Sequence, residues 1–559
     1  MDEQMTAKEI LETYDEITIG QQVFDDVLFF TLFEKQFLFW APSIEDPASQ
    51  ASIYLYNDQF LDFPHVMLRA ANITDGKIIP NGTYRWVCLF EHNSIVNSLV
   101  SYEDKIFDTI DRLIELLSMN QVDREREFQK EFMFYWNGES ADSKCFTAYL
   151  SQEAHFSEMD VFHGENNIRL IEHGLTLSDI DAKDKNKRKW IRHLENDAYY
   201  IPIIDSRGIL PPHRGFRWTA NEVQNIVYGK QINHISDDSF RMLKTTVPKR
   251  HELILLFSMK TDQSSIAFAL KVKCRSTAGR SLLDKLLSDI TAVEPLRTER
   301  KDYAYMCELI GNDTGLTNKR ILLIGAGSLG SYVAFELVKN GAQNIKIYDG
   351  DKLEDENILR WAYGGFGKGS NKAMTIQFLM NLLHPELHIE SCSKDIDPQS
   401  LIKEVSDCDL LIFTIGSSDE QLKFNTVLKK ANCKTPVLYV WLEEGGDYSH
   451  ILFVDYKKQG CYECLFTDQQ GERVNNRARK NTDLSIDNRI IRNGCGGTRA
   501  AYGTAVLLRT TAALLNTIKK IENHTITENT LIDITPDKTA ISDTVFPMEA
   551  CGCCGNKAE

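Results

Sequence analysis

Cysteines stand in two close groups in the last fifth of the chain. The first group is Cys461-Tyr-Glu-Cys464, and the second is Cys551-Gly-Cys553-Cys554. Two such pairs supply the four thiolates of a tetrahedral structural zinc site. The spacing therefore predicts Zn²⁺ held by Cys461, Cys464, Cys551 and Cys554. Cys553 is an alternative ligand, and reduced thiols without metal are the alternative to a zinc site.

A glycine-rich loop occupies residues 325–330. Gly325-Ala-Gly327-Ser-Leu-Gly330 follows a strand-like apolar run and precedes a helix-like one, as a phosphate-binding turn at a helix N terminus requires. Asp349 ends the next strand-like run, where a ribose-binding acid is expected. We expect a nucleotide at this loop, and a tight turn that binds no ligand is the alternative.

The segment after Asp349 distinguishes a binding site for ATP from a binding site for NAD. It contains Asn357, Arg360 and Lys372. Cations at this place stabilise the charge of a triphosphate whose α-phosphorus is attacked by a carboxylate. Hydride transfer has no need of this arrangement. The segment therefore favours ATP over NAD.

The same segment resembles the D-x-D…N-x-x-R…K pattern of the ThiF, MoeB and ubiquitin-activating superfamily, and the resemblance extends over residues 296–559. It implies that Asp349 binds ribose and that Asn357, Arg360 and Lys372 contact phosphates. It also implies that Arg300 is the arginine that reaches in from a second subunit of a homodimer.

This chain departs from the superfamily at one metal ligand. In the family a second Asp, after the strand represented here by DLLIFTIG, helps to hold Mg²⁺. The register that matches the family's downstream Asn to Asn425 puts Gly416 at that position. Asp419, three residues further on, is a candidate substitute, and a plain surface acid is the alternative.

Cys495 lies among glycines and small residues, before a long helical run. A thiol near a helix start has a lowered pKa and a larger thiolate fraction, which makes it a nucleophile. By the resemblance, Cys495 matches the cysteine that receives the activated carboxyl group or sulfur. An inert buried cysteine is the alternative.

Cys88 is the second candidate nucleophile, at the end of a strand-like run. The Pro64-His65-Val66 element and the V-C-L-F ending resemble the prokaryotic ubiquitin-conjugating family, whose exposed cysteine accepts an acyl group by thioester exchange. Composition alone favours a core cysteine. The His-Pro-Asn element of eukaryotic conjugating enzymes is absent. His65, Asn81 and His92 are alternative contributors to the site.

Most of the scattered histidines, including His155, His163 and His173, are expected to be solvated or structural.

The elements that must position these residues form three predicted domains, as the periodicity of apolar residues changes along the chain. Residues 1–125 indicate an α+β, conjugating-like domain that ends in a helix. Its most apolar run, residues 27–40, is interpreted as buried strand. Residues 126–295 indicate an α+β linker domain. Residues 296–559 alternate strands and helices, which predicts a Rossmann-like α/β adenylation domain with a mostly parallel sheet and helices on both faces.

Composition excludes some classes of function. The 559 residues carry a formal net charge of −17, which argues against a general nucleic-acid binder because phosphate backbones are held by neutralising Lys and Arg. The N terminus has no basic-then-apolar signal pattern. A cytoplasmic protein that binds neither nucleic acid nor membrane is therefore expected.

The domain order resembles the activating–conjugating fusion proteins of bacterial antiphage CBASS operons. The resemblance implies that the C-terminal glycine of a cGAS/DncV-like nucleotidyltransferase is adenylated with ATP and Mg²⁺, passed from Cys495 to Cys88, and joined to a target protein. A sulfur-carrier adenylyltransferase of the ThiF or MoeB type is one alternative. A non-enzymatic NAD-sensing or scaffold protein is the other.

Overall fold

The computed structural model describes residues 5–56, 63–66, 84–90, 97–139, 144–151, 154–175, 177–178, 191–192, 197–213, 216–261, 265–276, 278–311, 315–443, 445–467, 477–480, 490–492, 498–500, 502–535, 541–545, 548 and 551–554. Two compact units emerge. One comprises Met1–Leu175 and Lys189–Lys301, and the other comprises Thr176–Arg188 and Asp302–Glu559.

The first sheet of the first unit is an antiparallel meander of strands that pair in chain order. Its strands are β1 (Ile17–Phe24), β2 (Val27–Leu32), β3 (Lys35–Trp40), β4 (Ser52–Tyr56) and β5 (Tyr84–Val87). Helices α1 (Ala7–Leu11) and α2 (Tyr102–Ser118) pack their apolar residues against one face of this sheet.

The first sheet and its helices correct one expectation from the sequence and confirm another. The run 27–40, interpreted as one buried strand, forms two strands, because Phe33 and Glu34 make a turn with φ of 48° and 62°. The predicted helix before residue 120 is α2, and Ile106, Ile110 and Leu113 lie in the core as its spacing indicates.

The second sheet of the same unit has the order β13-β12-β11-β10-β7-β8-β6-β14, with β9 paired to β7. Its strands are β6 (Cys145–Tyr149), β7 (Ser157–His163), β8 (Asn167–Glu172), β9 (Ile191–Arg192), β10 (Asp197–Pro202), β11 (Glu252–Lys260), β12 (Ser265–Cys274), β13 (Ile290–Leu296) and β14 (Thr298–Arg300). The accompanying helices are α3 (Gln121–Lys130), α4 (Phe132–Glu139), α5 (Ala220–Val227), α6 (Asp237–Thr245) and α7 (Leu282–Ser288).

The second unit is built on a sheet of order β17-β16-β15-β18-β19-β20-β23-β24, with β21 and β22 as a separate pair. Its strands are β15 (Arg320–Ile324), β16 (Asn344–Tyr348), β17 (His388–Cys392), β18 (Leu410–Phe413), β19 (Val437–Leu442), β20 (Ser449–Val454), β21 (Ile490–Arg492), β22 (Thr498–Ala500), β23 (Thr530–Ile534) and β24 (Ile541–Thr544). Its helices are α8 (Tyr303–Leu309), α9 (Ser328–Lys339), α10 (Lys372–Leu383), α11 (Pro398–Val405), α12 (Ser418–Lys430) and α13 (Thr504–Glu522).

The predicted Rossmann-like arrangement is confirmed in this second unit. The five strands from β17 to β19 in the sheet order are parallel, and the later strands are antiparallel. Residues of β15 point alternately into two cores, one shared with α9, α10 and α13 and the other with α11 and α12. Since the chain order reverses between β15 and β18, a crevice for a ligand is expected at the carboxyl ends of these two strands.

In the part of the chain that the structure describes, no helix is both long enough and apolar enough to cross a membrane.

Candidate functional site

The glycine loop lies at the carboxyl end of β15, where the crevice is expected. Gly325 has a φ of +99°, and a Cβ there would meet Thr414 and Ile415 within 3.2 Å. A Cβ on Gly330 would stand 2.0 Å from the carbonyl oxygen of Gly325. Both positions therefore require glycine, because the chain turns tightly and the helix packs directly on the strand.

Gly327 differs from the other two loop glycines. A Cβ at this residue would meet none of the described atoms within 4 Å. Gly327 is the N-cap of α9, and no described side chain caps the helix there. The start of α9 therefore has no side-chain cap among the described residues, and an uncapped helix N terminus can bind phosphate.

Asp349 follows β16 and contacts the glycine loop directly. Its Oδ2 accepts the N–H of Ala326 at 2.6 Å, and its Oδ1 accepts the N–H of Asp351 at 2.9 Å. Burial raises the pKa of Asp349, whereas these hydrogen bonds and the charge of Lys372 act in the opposite direction. The carboxylate thus lies at the crevice beside the loop, as a ribose-binding acid would.

Arg360 is brought to the same edge by its neighbour in the chain. The indole N–H of Trp361 donates to the carbonyl of Ala326 in the glycine loop at 3.0 Å. The guanidinium carbon of Arg360 lies 5.4 Å from the ring centroid of Tyr502. Its buried Nε has no hydrogen-bond partner among the described residues. This cation therefore has unused donor capacity close to the loop.

Lys372 begins α10 and is almost fully buried. Its Nζ lies 2.8 Å from Oδ2 of Asp351. Asn371, immediately before it, donates from Nδ2 to the carbonyls of Asp349 and Asp351, at 2.7 and 3.1 Å. The start of α10 is thereby fixed to the end of β16. Asp351 and Asn371 complete the site, and sequence reasoning did not assign them a role.

The remaining residues of the predicted nucleotide site differ in position. Asn357 accepts the N–H of Glu354 at 3.3 Å within a short 3₁₀ turn. Gly416 has a φ of +68°, a conformation that an aspartate at this position would adopt only with strain. Asp419 is exposed in the first turn of α12. Arg300 lies on β14 in the first unit.

The cysteine pairs meet as the spacing predicts. The Sγ atoms of Cys461, Cys464, Cys551 and Cys554 all lie within 4.8 Å of one another. Separations of 3.9, 3.7 and 3.2 Å join Cys461 to Cys464, Cys461 to Cys551, and Cys464 to Cys554. A tetrahedral site with Zn–S bonds of about 2.3 Å has sulfurs about 3.8 Å apart, so these four residues fit Zn²⁺.

Cys553 has a different neighbour. Its Sγ accepts from Nδ2 of Asn425 at 3.2 Å, and the same amide nitrogen lies 3.6 Å from Sγ of Cys461. Oδ1 of Asn425 accepts the N–H of Tyr462 at 3.2 Å. The buried amide of Asn425 therefore links α12 to both cysteine groups, and Cys553 is held beside the four-sulfur cluster as its neighbour.

Cys88 is half-buried at the end of β5. Its N–H donates to the carbonyl of His65 at 2.9 Å, and its Sγ lies 3.7 Å from the carbonyl oxygen of Phe90. The ring of His65 lies between Glu127 and Glu131, whose carboxylates contact Nε2 at 2.9 Å and Nδ1 at 3.1 Å. Both ring nitrogens of His65 are therefore engaged. The sequence carried no signal for these two glutamates, since Glu127 lies on the polar helix α3 and Glu131 follows the end of that helix.

Three of the predicted site residues lie outside the described residues, namely Cys495, Asn81 and His92. Among the histidines expected to be structural, His155 contacts Glu172 at 3.4 Å and His173 contacts Asp160 at 3.1 Å.

A buried charged network lies at the end of β19 and β20. Nε2 of His450 is 2.7 Å from Oε1 of Glu443, and its Nδ1 is 2.7 Å from Oδ1 of Asp533. The second oxygen of Asp533 is 3.0 Å from Nζ of Lys480, whose N–H donates to Glu443 at 2.6 Å. Burial lowers the pKa of His450, but the two carboxylates outweigh it and raise the pKa overall. This network attaches residues 477–480 to the sheet.

Comparison with known proteins agrees with this geometry. Residues 304–548 match the ThiF family. Over 519 residues the chain is 23% identical to the ATP-dependent ubiquitin transferase-like protein Cap2 of Vibrio cholerae, covering 84% of this chain and 85% of that protein. The chain carries a ThiF-family domain and is a homologue of the Cap2 proteins. The fusion-protein resemblance predicted from the sequence is thereby confirmed.

A second Cap2 protein and one solved structure are also similar to this chain. The Cap2 protein of Pseudomonas aeruginosa is 29% identical over 356 residues, which is 62% of each chain. Among solved structures, Escherichia coli MccB with MccA aligns with a TM-score of 0.34 and 20% identity, over 44% of this chain and 69% of that one. The ThiF-type domain and the names of the Cap2 relatives support an ATP-dependent activity of the ubiquitin-activating type.

Proposed function

We propose that this protein uses ATP to adenylate the C-terminal carboxylate of a partner protein, relays the acyl group through Cys495 and Cys88, and joins it to an amine of a target. The observation that carries the proposal is the crevice itself. The carboxylate of Asp349 bonds to the glycine loop before the uncapped start of α9, and Trp361, the neighbour of Arg360, bonds to the same loop.

Each residue of the crevice has a specific role in binding ATP. The N–H groups at the start of α9 bind the phosphates, for which Gly327 leaves room. Asp349 accepts hydrogen bonds from the ribose hydroxyls. Arg360 and Lys372 neutralise the charge that develops as the phosphate chain is cleaved. Mg²⁺ would supply further charge neutralisation, and we propose Asp351 and Asp419 as the acids that would hold it.

Adenylation makes a poor electrophile reactive. A carboxylate oxygen of the partner attacks the α-phosphorus, an O–P bond forms, and the bond to the β-phosphate oxygen breaks with release of pyrophosphate. The thiolate of Cys495 then attacks the acyl carbon, a C–S bond forms, and AMP leaves with the electrons of the C–O bond. The product is a thioester, which needs no further ATP to react.

The second thiol receives the acyl group by exchange. Sulfur of Cys88 forms a C–S bond to the acyl carbon while the bond to Cys495 breaks, and the proton of the Cys88 thiol passes to the departing Cys495 thiolate. An amine of the target then forms a C–N bond, and Cys88 leaves as a thiol with a proton from the amine. Because one chain carries both thiols, the exchange benefits from a high local concentration.

The partner and the assembly follow from the resemblance to the fusion proteins. We propose a cGAS/DncV-like nucleotidyltransferase with a C-terminal glycine as the activated protein, and a homodimer as the active assembly. Residues 1–125 provide the conjugating domain, residues 126–295 the linker domain and residues 296–559 the adenylation domain. Zn²⁺ at the four cysteines has a structural role, since all four ligands come from the protein and leave no open position.

Two measurements test the proposal. Exchange of labelled pyrophosphate into ATP should require a carrier with a C-terminal glycine. On non-reducing gels, Cys88→Ala should leave the carrier attached to Cys495, and Cys495→Ala should prevent attachment at both thiols. Normal product formation by Cys88→Ala would instead favour a sulfur-carrier adenylyltransferase. Tight NADH binding without pyrophosphate exchange would favour the NAD-sensing alternative.

A further inference from the structure

Helices α3 and α4 are fixed by the second sheet of the first unit. Phe132 and Trp136 lie in the core of that sheet. The indole N–H of Trp136 donates to the carbonyl of Leu296 at 3.0 Å, and Nε2 of Gln129 donates to the carbonyl of Ser206 at 2.7 Å. The position of any other side chain on these helices is therefore set by the second sheet.

Other side chains of this segment contact His65, whose carbonyl accepts the N–H of Cys88. Glu127 lies on α3, Glu131 is the residue between α3 and α4, and Tyr135 lies on α4. Glu127 and Glu131 hold the ring of His65, at 2.9 and 3.1 Å. The hydroxyl of Tyr135 accepts the backbone N–H of His65 at 2.7 Å. Three side chains therefore converge on one residue of the first sheet's domain.

His65 transmits this restraint to Cys88. Its φ of +64° is left-handed, which is unfavourable for a residue with a Cβ and persists only where neighbouring contacts hold it. The carbonyl of the same residue accepts the N–H of Cys88. Burial and the charge of Glu131 raise the pKa of the Tyr135 hydroxyl, so it stays protonated as it accepts the N–H of His65.

We infer that Glu127, Glu131 and Tyr135 are positioning residues for Cys88 that act through His65, so that the second sheet completes a thiol site carried by the first. The inference deepens the proposed function, because a thioester exchange needs the attacking sulfur held at about 3–3.5 Å from the acyl carbon. The contacts themselves do not depend on that function, so they can be tested without ATP or a carrier.

Alkylation of Cys88 by iodoacetamide, followed by mass spectrometry of the Cys88 peptide, provides the first test in the full-length protein. Tyr135→Phe should alkylate several-fold faster than wild type, because the backbone of His65 loses its hydroxyl contact and the half-buried thiol becomes more accessible. Tyr200→Phe is the matched control. It removes a buried hydroxyl in the same unit that contacts Ser258 at 2.7 Å, and it should alkylate at the wild-type rate.

A second pair of variants tests whether the glutamates act through His65. Glu131→Gln should accelerate alkylation of Cys88, because a neutral amide holds the ring of His65 less firmly than the carboxylate at 3.1 Å does. His65→Gly allows the left-handed backbone but deletes the ring, so Glu131→Gln should have no effect in that background, whereas Tyr135→Phe should still accelerate alkylation. An equal effect of Glu131→Gln in both backgrounds would overturn action through His65.

Transfer kinetics connect the network to the proposed function. Tyr135→Phe should slow transfer from Cys495 to Cys88 about tenfold, with AMP formation unchanged. If wild type forms no thioester, the proposed function fails while the alkylation results still decide the positioning role. If Tyr135→Phe, Tyr200→Phe and wild type alkylate identically over the whole pH range, with equal melting temperatures, the positioning role is refuted.

Discussion

The ammonium group of Lys372 lies 2.8 Å from a carboxylate oxygen of Asp351, and the two partners differ in burial. The side chain of Lys372 is 9% exposed and that of Asp351 is 76% exposed. The buried ammonium group therefore has an exposed partner, next to the Asp349 carbonyl that Asn371 contacts. We therefore expect the phosphates of ATP to compete with Asp351 for this ammonium group.

Lys372→Ala should reduce pyrophosphate exchange by roughly 10²–10³-fold, the range found when one charge-stabilising donor is removed from a transition state. Lys368→Ala is the matched control, since Lys368 pairs with Asp355 at 2.6 Å with both side chains exposed. Equal rates for the two variants would show that Lys372 does not contact the phosphates.

Two alanine substitutions in the glycine loop should separate stability from binding. Gly330→Ala places a Cβ 2.0 Å from a carbonyl oxygen and should destabilise the protein by about 1–3 kcal/mol. Gly327→Ala meets no described atom, so its melting temperature should equal that of wild type while ATP binding weakens. Thermal melts and ATP titrations measure both effects. Unchanged ATP affinity for Gly327→Ala would place the nucleotide elsewhere.

The zinc content of a cysteine variant should depend on whether the substituted sulfur belongs to the four-sulfur cluster. Cys554→Ser should lose Zn²⁺ and melt at a lower temperature, because a four-thiolate site contributes folding free energy. Cys553→Ser should keep one Zn²⁺ per chain, since its sulfur contacts Asn425 outside the four-sulfur cluster. Elemental analysis of both purified variants distinguishes them, and equal loss from both would assign Cys553 to the ligand set.

The buried pair of His450 and Asp533 predicts a stability that depends on pH. The raised pKa of His450 means that its contribution is full below its unfolded value, near 6.5, and is lost as the pH rises through the raised value. The pKa of Asp533 is lowered, against the effect of burial, by His450 and Lys480. Its contribution is therefore present above its unfolded value and is lost as the pH falls through the lowered one.

His450→Gln should flatten the alkaline side of the stability profile, and Asp533→Asn should flatten the acid side. Removing one member of a buried charged pair costs about 3–5 kcal/mol, so both variants should also melt at a lower temperature near neutral pH. Melting curves from acid to alkaline pH measure both effects. A profile of His450→Gln parallel to that of wild type would exclude titration of this histidine.

Patterns in neighbouring residues predicted much of the fold and of the nucleotide crevice. The alternating strands and helices place Asp349 next to the glycine loop, because parallel strands bring their carboxyl ends to one edge of a sheet. The cysteine pairs were predictable for a similar reason, since four sulfurs in two close groups match a known coordination geometry. Both inferences rest on local spacing and a general rule.

The contacts around Cys88 and His450 were not predictable in this way. Glu127 lies 62 residues after His65, on a helix whose polar sequence has no apolar stripe to indicate which side faces inward. Asp533 lies 83 residues after His450, and the two meet only because β20 and β23 pair. Such contacts depend on the register between distant elements, which no short pattern in the sequence encodes.

The attachment of α3 and α4 to the second sheet has a consequence for protein engineering. A fragment cut after residue 125 would keep Cys88 and His65 but lose Glu131 and Tyr135, and a chimera that exchanged only the first sheet would pair His65 with foreign helices. A graft that carries the Cys88 site should therefore include both sheets of the first unit, so that His65 keeps its contacts with Glu131 and Tyr135.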